Sequence, residues 1–320
     1  MQNIRKLPIG IQSFEDLRKN NYIYIDKTEF VYNLVHSGKV YFLSRPRRFG
    51  KSLFLSTLKA YFEGKKELFK GLKIEQLEKD NPDAWKAYPV IYLNFAQNSF
   101  SKEVSLEKTI NLQLDEYEKK YEIQADYKDP LDPTNFAGRF INIVQTARKK
   151  TGLQAAVLID EYDKPLLDAQ NNESLVNENR ETLRGLYVTL KALDEDLKFV
   201  FLTGVTKFSK VSIFSDLNQL NDISITSQYA TACGITEKEM LESLAPEIEA
   251  FAENNGLSKE ECVNQLEQMY DGYHFHHEAD GVYNPFSLLN ALYSKDFSFY
   301  WFATGTPTFL IKKLQESTMN

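Results

Sequence analysis

The sequence has few of the features that would tie it to a membrane or to an oxidising compartment. Its 320 residues include two cysteines, Cys233 and Cys262, too few for a disulfide framework and typical of a reducing compartment. No apolar run approaches the roughly 18 residues that a transmembrane helix needs. The N-terminal residues also lack the apolar segment and cleavage site of a secretory signal. We therefore expect a cytoplasmic protein with no membrane partner.

Positive charge is scarce and unevenly distributed. The formal net charge is −7, which argues against binding nucleic acid by bulk electrostatics. Only nine arginines are present; three of them are Arg45, Arg47 and Arg48, and none follows Arg184. A positive cluster in an acidic protein predicts a local anion site rather than a polyanion groove.

Short apolar runs alternate with helical patterns over the first 230 residues. Runs that are apolar on both faces are typical of strands buried in a parallel sheet, with helices as crossovers. We therefore predict an α/β fold, with a P-loop NTPase parallel sheet flanked by helices and followed by a smaller helical subdomain. The candidate strands are residues 40–44, 89–95, 155–160 and 199–203, with a weaker fifth candidate at residues 222–226.

The strand pattern fades after residue 230. The strings TEKE at residues 236–239 and SKEE at residues 258–261 fit the reciprocal capping pattern of a helix start. Pro285 stands near another predicted helix start, where its missing N–H costs little. We therefore predict two domains, a P-loop ATPase core over residues 1–230 and a helical subdomain over residues 231–320.

Residues 44–52, SRPRRFGKS, form the strongest motif. An apolar strand precedes Gly50-Lys51-Ser52 and an amphipathic helix follows, an arrangement that directs backbone N–H groups and the helix dipole at an anion. Lys51 would reach the β- and γ-phosphates of a nucleotide, the Ser52 hydroxyl would hold magnesium, and Gly50 would let the backbone approach.

The motif departs from the usual pattern at its first position, where Arg45 replaces glycine. Arg47 and Arg48 could contact a triphosphate or face solvent. The alternative for the whole segment is a basic turn without a ligand. On the ligand-binding interpretation, the predicted nucleotide contacts are Arg45, Pro46, Arg47, Arg48, Phe49, Gly50, Lys51, Ser52 and Leu53.

A second motif ends the predicted strand at residues 155–160. Asp160 and Glu161 follow an apolar run directly, and such charges are costly unless they meet water, a cation or a partner. In P-loop ATPases an acid in the place of Asp160 binds magnesium, and one in the place of Glu161 activates water. The alternative is a strand end with solvated acids. Asp163 is expected to begin the next helix.

The predicted strand at residues 199–203 ends in hydroxyl residues. Thr203 or Thr206 could present its hydroxyl to the terminal phosphate or the attacking water, and we take Thr206 as the catalytic candidate. A plain polar turn is the alternative. Because no arginine follows Arg184, the helical subdomain cannot supply a transition-state arginine to the terminal phosphate. An oligomer is possible but not required.

Taken together, these strings resemble the bacterial AAA-ATPase-like family. The resemblance implies an ATPase core and a helical subdomain, with Lys51 and Ser52 on ATP and Asp160 and Glu161 on Mg²⁺ and water. Members usually continue into a nuclease-like domain of the PD-(D/E)xK superfamily, so the resemblance implies a partner domain that is missing from these 320 residues. The matching strings are residues 7–14 (LPIGIQSF), 45–53 (RPRRFGKSL), 158–165 (LIDEYDKP), 203–209 (TGVTKFS), 270–275 (YDGYHF) and 304–310 (TGTPTFL).

Two functional hypotheses remain from the sequence. The first is a Mg²⁺-dependent ATPase acting as a motor or switch for a nucleic-acid-related partner domain, so DNA or RNA would bind through the missing domain. The second is a regulatory module that binds nucleotide without hydrolysing it. A nuclease within these residues is weaker, because no separate Asp…Glu-x-Lys cluster stands out. The absence of a guanine-reading Asn/Thr-Lys-x-Asp string favours adenine.

Overall fold

The computed structural model describes residues 5–101, 104–123, 136–206 and 219–300. Residues 207–209 of one matching string, the whole string at 304–310 and the last twenty residues of the predicted helical subdomain lie outside these ranges. Within them, no helix is both long and apolar enough to cross a membrane.

One parallel sheet organises the first part of the chain. Its strands are β1 Val40–Ser44, β2 Val90–Asn94, β3 Ala155–Asp160, β4 Leu197–Gly204 and β5 Asn221–Asp222. The strand order is β2-β3-β4-β1-β5, and each neighbouring pair is parallel. The α/β fold and all four strong strand predictions are confirmed, and helices cover both faces of these apolar runs.

The fifth strand is shorter than predicted and begins one residue earlier. Only Asn221 and Asp222 pair with β1. Beyond them, Ser224 turns away from the sheet: its hydroxyl accepts a hydrogen bond from the Ser44 amide and its carbonyl accepts one from the Arg45 guanidinium. The buried Arg45 side chain thus satisfies the Ser224 carbonyl, which a longer β5 would have paired with β1.

Helices cover both faces of the sheet. The helices are α1 Phe14–Lys19, α2 Thr28–Ser37, α3 Lys51–Phe62, α4 Lys73–Leu77, α5 Leu106–Lys120, α6 Phe136–Thr151, α7 Lys164–Asp168 and α8 Glu173–Ala192. Alternate strand residues point to opposite sides, so Val157 and Ile159 belong to one apolar cluster with residues of α5, α6 and α8, while Ala156 and Leu158 belong to another with residues of α2 and α3. Helix α8 begins at Glu173, where the side chain of Asn172 accepts a hydrogen bond from the Leu175 amide and caps it.

The C-terminal part is helical and has its own apolar cluster. Both predicted capping boxes are present, with Thr236 and Ser258 each accepting from the amide three residues on. Pro285 is the first residue of the last helix, as expected. These helices are α9 Glu237–Ser243, α10 Ala245–Asn254, α11 Lys259–Tyr270 and α12 Pro285–Ser294.

The sheet order decides which loops meet. Strand β4 lies between β1 and β3, with Ser44 beside Gly204 and Ile159 beside Leu202. The carboxyl ends of parallel strands share one edge of a sheet. The loop after β1, the acids after β3 and the hydroxyls after β4 therefore lie together at that edge.

Candidate functional site

The loop between β1 and α3, residues 45–50, has an unusual backbone. Both Arg48 (φ 66°) and Gly50 (φ 90°) adopt the left-handed conformation, which glycine tolerates and other residues rarely adopt. A Cβ added to Gly50 would meet no heavy atom within 4 Å. Glycine is therefore required here by the backbone angle, and the space in front of it is open to a ligand.

The first turn of α3 leaves its amides available. The backbone N–H groups of Gly50, Lys51, Ser52 and Leu53 donate no hydrogen bond to any residue in the described ranges. Such orphan donors, together with the partial positive charge of a helix N-terminus, attract an anion. The β1–α3 loop therefore offers a group of unused donors beside open space.

Lys51 lies inside the curve of this loop. Its ammonium donates to the carbonyls of Arg45 at 2.9 Å and Pro46 at 3.0 Å, and its side chain is almost fully buried. Burial lowers the pKa of Lys51, while the nearby Glu161 carboxylate raises it. An ammonium has three donors, and two of them are accounted for by these carbonyls.

Arg45 has a structural role rather than a ligand-binding one. Its guanidinium donates to the carbonyls of Ser44, Ser224, Tyr229 and Ala230, and the whole residue is only 1% exposed. Burial lowers the pKa of Arg45 to about 10. The side chain lies outside the wall of the neighbouring cavity, where the sequence had predicted a nucleotide contact. Pro46 also stays outside the cavity wall and contributes its carbonyl to Lys51.

At the end of β3, Asp160 is buried and held by two hydroxyls. Thr203 Oγ1 donates to one carboxylate oxygen at 2.6 Å, and the Tyr92 hydroxyl donates to the other at 3.2 Å. Asp160 is 1% exposed. Since β2 and β4 flank β3, the two neighbouring strands supply one donor each. The hydroxyl on Asp160 belongs to Thr203 rather than to Thr206.

Glu161 turns out of the strand towards the loop. Its φ of 52° is left-handed, a conformation that costs about 1 kcal/mol or more for a residue with a side chain. This bend lets the neighbouring carboxylates serve different surroundings: Asp160 contacts Thr203 and Tyr92, whereas Glu161 lines the cavity. Burial raises the pKa of Glu161, and the ammonium of Lys51 opposes that rise. Lys51 and Glu161 thus act on each other electrostatically across the site.

Asp163 has a role that sequence reasoning missed. Its Oδ2 accepts from the amides of Val205 at 2.8 Å and Thr206 at 2.7 Å, and from the Thr206 hydroxyl at 3.0 Å. Asp163 stands at the N-cap position of α7, as expected, but its side chain makes no capping hydrogen bond there and anchors the turn after β4 instead. Gly204 is the signal that could have shown this, because a Cβ there would lie 2.5 Å from the Tyr162 ring and 2.9 Å from Asp163.

A cavity of about 620 Å³ opens between these elements. Its volume falls within the range of roughly 300–1,000 Å³ that is usual for small-molecule sites. One end is charged, because Glu161 and Lys164 line the cavity with the loop residues and Glu161 interacts electrostatically with Lys51 and Arg47. The loop residues in the wall are Arg47, Arg48, Phe49, Gly50, Lys51, Ser52 and Leu53.

The other end of the cavity is mostly apolar. It is formed by residues 8–12 and 23–25 of the N-terminal segment and by Ile235, Pro285, Phe286 and Leu289 of the C-terminal part. Asp160 and Thr206 are not in the wall. A ligand with a polyanionic end and a flat apolar end matches these surroundings.

Comparison with known proteins agrees with the geometry. A family model described as "Predicted AAA-ATPase" matches residues 8–214, a range that contains both the β1–α3 loop and the β3 end. A curated relative from Azotobacter chroococcum mcd 1, described as "Uncharacterized protein in vnfD 5'region", is 41% identical over 313 residues. The aligned region is 98% of this chain and 56% of the relative, so the chain spans little more than half of that protein. No solved structure matches.

Proposed function

The chain belongs to the AAA-ATPase-like family, and from that membership we propose that it binds ATP in the cavity and hydrolyses it with Mg²⁺. The observation that carries the proposal is the set of unused amides from Gly50 to Leu53, which open beside Lys51 and Glu161. The triphosphate would take these donors, and the apolar end of the cavity would receive the base.

The residues at the site fit a magnesium ion that keeps part of its water shell. Magnesium prefers oxygen ligands and retains several waters, so the Ser52 hydroxyl in the cavity wall would bind the ion directly and Asp160, behind the wall, would hold it through a bound water. The hydroxyls of Thr203 and Tyr92 fix the orientation of the Asp160 carboxylate. When bound, Mg²⁺ would neutralise charge on the phosphate oxygens.

In the proposed reaction, Glu161 is the general base. It lines the cavity, whereas Asp160 lies behind it, so Glu161 is the acid that can hold and deprotonate a water. Lys51 and the first-turn amides of α3 stabilise the negative charge that develops on the phosphate. The products are ADP and phosphate, formed by attack of that water on the terminal phosphorus.

Titration calorimetry and phosphate release test this function. We expect Lys51→Ala to weaken ATP binding roughly tenfold to a hundredfold, because it removes a charge-assisted hydrogen bond. Lys59→Ala, on the same helix and paired with Glu63, is the matched control and should bind ATP like the wild type. Wild-type binding that Lys51→Ala leaves unchanged would contradict the proposal.

Glu161→Gln separates hydrolysis from binding. It keeps the size of the side chain and removes its basicity, so we expect normal ATP affinity with phosphate release reduced about a hundredfold or more. Tight ATP binding without release in the wild type would instead favour the non-hydrolysing regulatory module.

Several predictions from the sequence stay proposals here. A DNA or RNA partner acting through a nuclease-like domain is supported by the family resemblance alone. Phosphate release measured with and without DNA tests it. The cytoplasmic location, the boundary near residue 230 and the oligomeric state also rest on the sequence alone.

A further inference from the structure

The β1–α3 loop is in direct contact with the C-terminal part of the chain. The Arg45 guanidinium lies 3.9 Å from the centre of the Phe275 ring, and the Phe49 ring packs edge-on against Tyr273 at 4.6 Å. The Gly234 amide donates to the Phe49 carbonyl at 3.2 Å. Arg45 and Phe49 are both buried. These contacts therefore hold the loop in place, and the Arg45 side chain lies outside the cavity wall.

Arg48 makes a further contact of a different kind. Its guanidinium lies 4.0 Å from the centre of the Phe286 ring, at the second residue of α12, and both residues line the cavity. Arg48 is exposed, and within the described ranges no hydrogen bond or ion pair involves its guanidinium. A contact between a guanidinium and a ring face uses no N–H···acceptor hydrogen bond, so the N–H donors of Arg48 remain available to a ligand.

The backbone directs Arg48 to this place. Its φ of 66° is unfavourable for a residue with a side chain. Such conformations persist where the surroundings over-determine them, and they are frequent at ligand sites. The neighbouring Arg47 instead acts on the Glu161 carboxylate, at the charged end of the cavity. Arg48 thus lies nearer the apolar end, where Pro285 and Leu289 accompany Phe286.

We propose that Arg48 and Phe286 form a nucleotide-dependent clamp between the β1–α3 loop and α12. The Phe286 ring holds the guanidinium plane, and Arg48 donates to the phosphates that lie nearer the base and are common to ADP and ATP. This proposal rests on the proposed function, because it needs a nucleotide in the cavity. With no arginine after Arg184, the helical part supplies the ring and the loop supplies the cation.

A double-mutant cycle tests the clamp by calorimetry with ADP and with ATP. We expect Arg48→Ala to weaken both nucleotides about tenfold, through loss of charge-assisted hydrogen bonds. Phe286→Leu keeps apolar bulk and removes the aromatic face, so it should weaken both about two- to fivefold. The double variant should bind no more weakly than Arg48→Ala, since the ring acts through the arginine.

Arg47→Ala is the matched control, because it removes the same charge from the same loop without touching the Phe286 contact. Its effect should multiply with that of Phe286→Leu. Independent effects of Arg48→Ala and Phe286→Leu would overturn the clamp, and so would Arg48→Ala affinities within twofold of wild type. In both cases wild-type binding and its dependence on Lys51 would persist, which separates failure of the clamp from failure of the proposed function.

Hydrogen exchange supplies a second readout. ADP should slow exchange of the α12 amides in the wild-type protein and in Arg47→Ala, and should do so much less in Arg48→Ala at saturating ADP. Equal protection of α12 in Arg48→Ala and the wild type would show that nucleotide does not tie this helix to the loop through Arg48.

Discussion

The ends of β1 and β3 lie at the same edge of the sheet but differ in whether their polar groups already have hydrogen-bond partners. After β1, the backbone amides from Gly50 to Leu53 have no partner within the described ranges. After β3, Asp160 accepts hydrogen bonds from Thr203 and Tyr92, and Asp163 accepts them from Val205 and Thr206. The donors at one end have no partner in the described protein, while both oxygens of Asp160 and one oxygen of Asp163 at the other end already accept hydrogen bonds.

This difference has an electrostatic reason. A cluster of buried carboxylates would repel and neutralise unless donors held each one, since burial disfavours the charged form. Hydroxyls of β2 and β4 hold both oxygens of Asp160, and amides of the turn after β4 hold one oxygen of Asp163. The loop needs no such partners, because its helix-terminal amides carry only partial charge. The acidic end is therefore preorganised by the protein, and the loop end is left for the ligand to complete.

The largest expected effect concerns Arg45, whose buried side chain anchors the β1–α3 loop to the rest of the protein. Arg45→Ala would leave the buried carbonyls of Ser224, Tyr229 and Ala230 without their donor, and we expect a loss of about 3 kcal/mol or more in the free energy of unfolding. Urea denaturation measures it. Arg45→Lys, which keeps the charge with fewer donors, should lose less. A loss below about 1 kcal/mol for Arg45→Ala would show that the loop is not anchored here.

The acidic end should respond strongly to loss of Asp163. Asp163→Ala leaves the Val205 and Thr206 amides without an acceptor, so we expect about 2–3 kcal/mol of destabilisation in the same assay. Asp163→Asn keeps an acceptor and should retain most of the stability. Equal losses for the two variants would indicate that charge, rather than the hydrogen bonds, holds the turn after β4.

Comparison of the wild type with Asp163→Asn also tests the pH dependence of stability. Burial raises the pKa of Asp163 in the folded protein above 3.8, the usual value, which also applies to the unfolded chain. At pH values between the unfolded and the folded pKa, the folded protein therefore binds more protons than the unfolded chain. The contribution of Asp163 to stability therefore falls as the pH rises through that window and then levels off. The stability of the wild type relative to Asp163→Asn should fall accordingly, measured by urea denaturation from pH 4 upwards. A difference that grows with pH would contradict this.

Glycine substitutions separate loop backbone strain from ligand space. Gly50 and Gly71 both have positive φ, and an added Cβ would meet no heavy atom within 4 Å at either position. We expect each alanine variant to lose about 1 kcal/mol of stability. Only Gly50→Ala should also weaken ATP binding, because its Cβ enters the cavity while Gly71 lies outside it. Equal ATP affinity for both variants would mean that the open space is not a phosphate site.

The smallest expected effects test the two hydroxyls on Asp160. Thr203→Val removes a hydrogen bond of 2.6 Å and should cost about 1 kcal/mol, with reduced phosphate release because the carboxylate loses its orientation. Tyr92→Phe removes one of 3.2 Å and should cost less on both measures. A larger effect of Tyr92→Phe than of Thr203→Val would indicate that the hydroxyl from β2, rather than the one from β4, orients the Asp160 carboxylate.

Local patterns sufficed for much of this structure. The strand that ends at Ser44, the helix that begins at Lys51 and the capping boxes at Thr236 and Ser258 each depend on neighbouring residues alone. The roles of Arg45, Thr203 and Asp163 do not. Their partners lie roughly 40 to 185 residues away in the chain, so no local pattern contains the hydrogen bonds that define them.

The sequence alone determined which residue types follow each buried strand, because strand periodicity and helix capping are properties of short segments. The tertiary structure decided which of those residues face a ligand and which face the protein. The placement of β4 between β1 and β3 put Thr203 on Asp160 and the turn after β4 on Asp163. The packing of α12 against the loop put Phe286 beneath Arg48. Both outcomes depend on long-range pairing, since a polar group at a strand end binds whichever partner the sheet order brings to it.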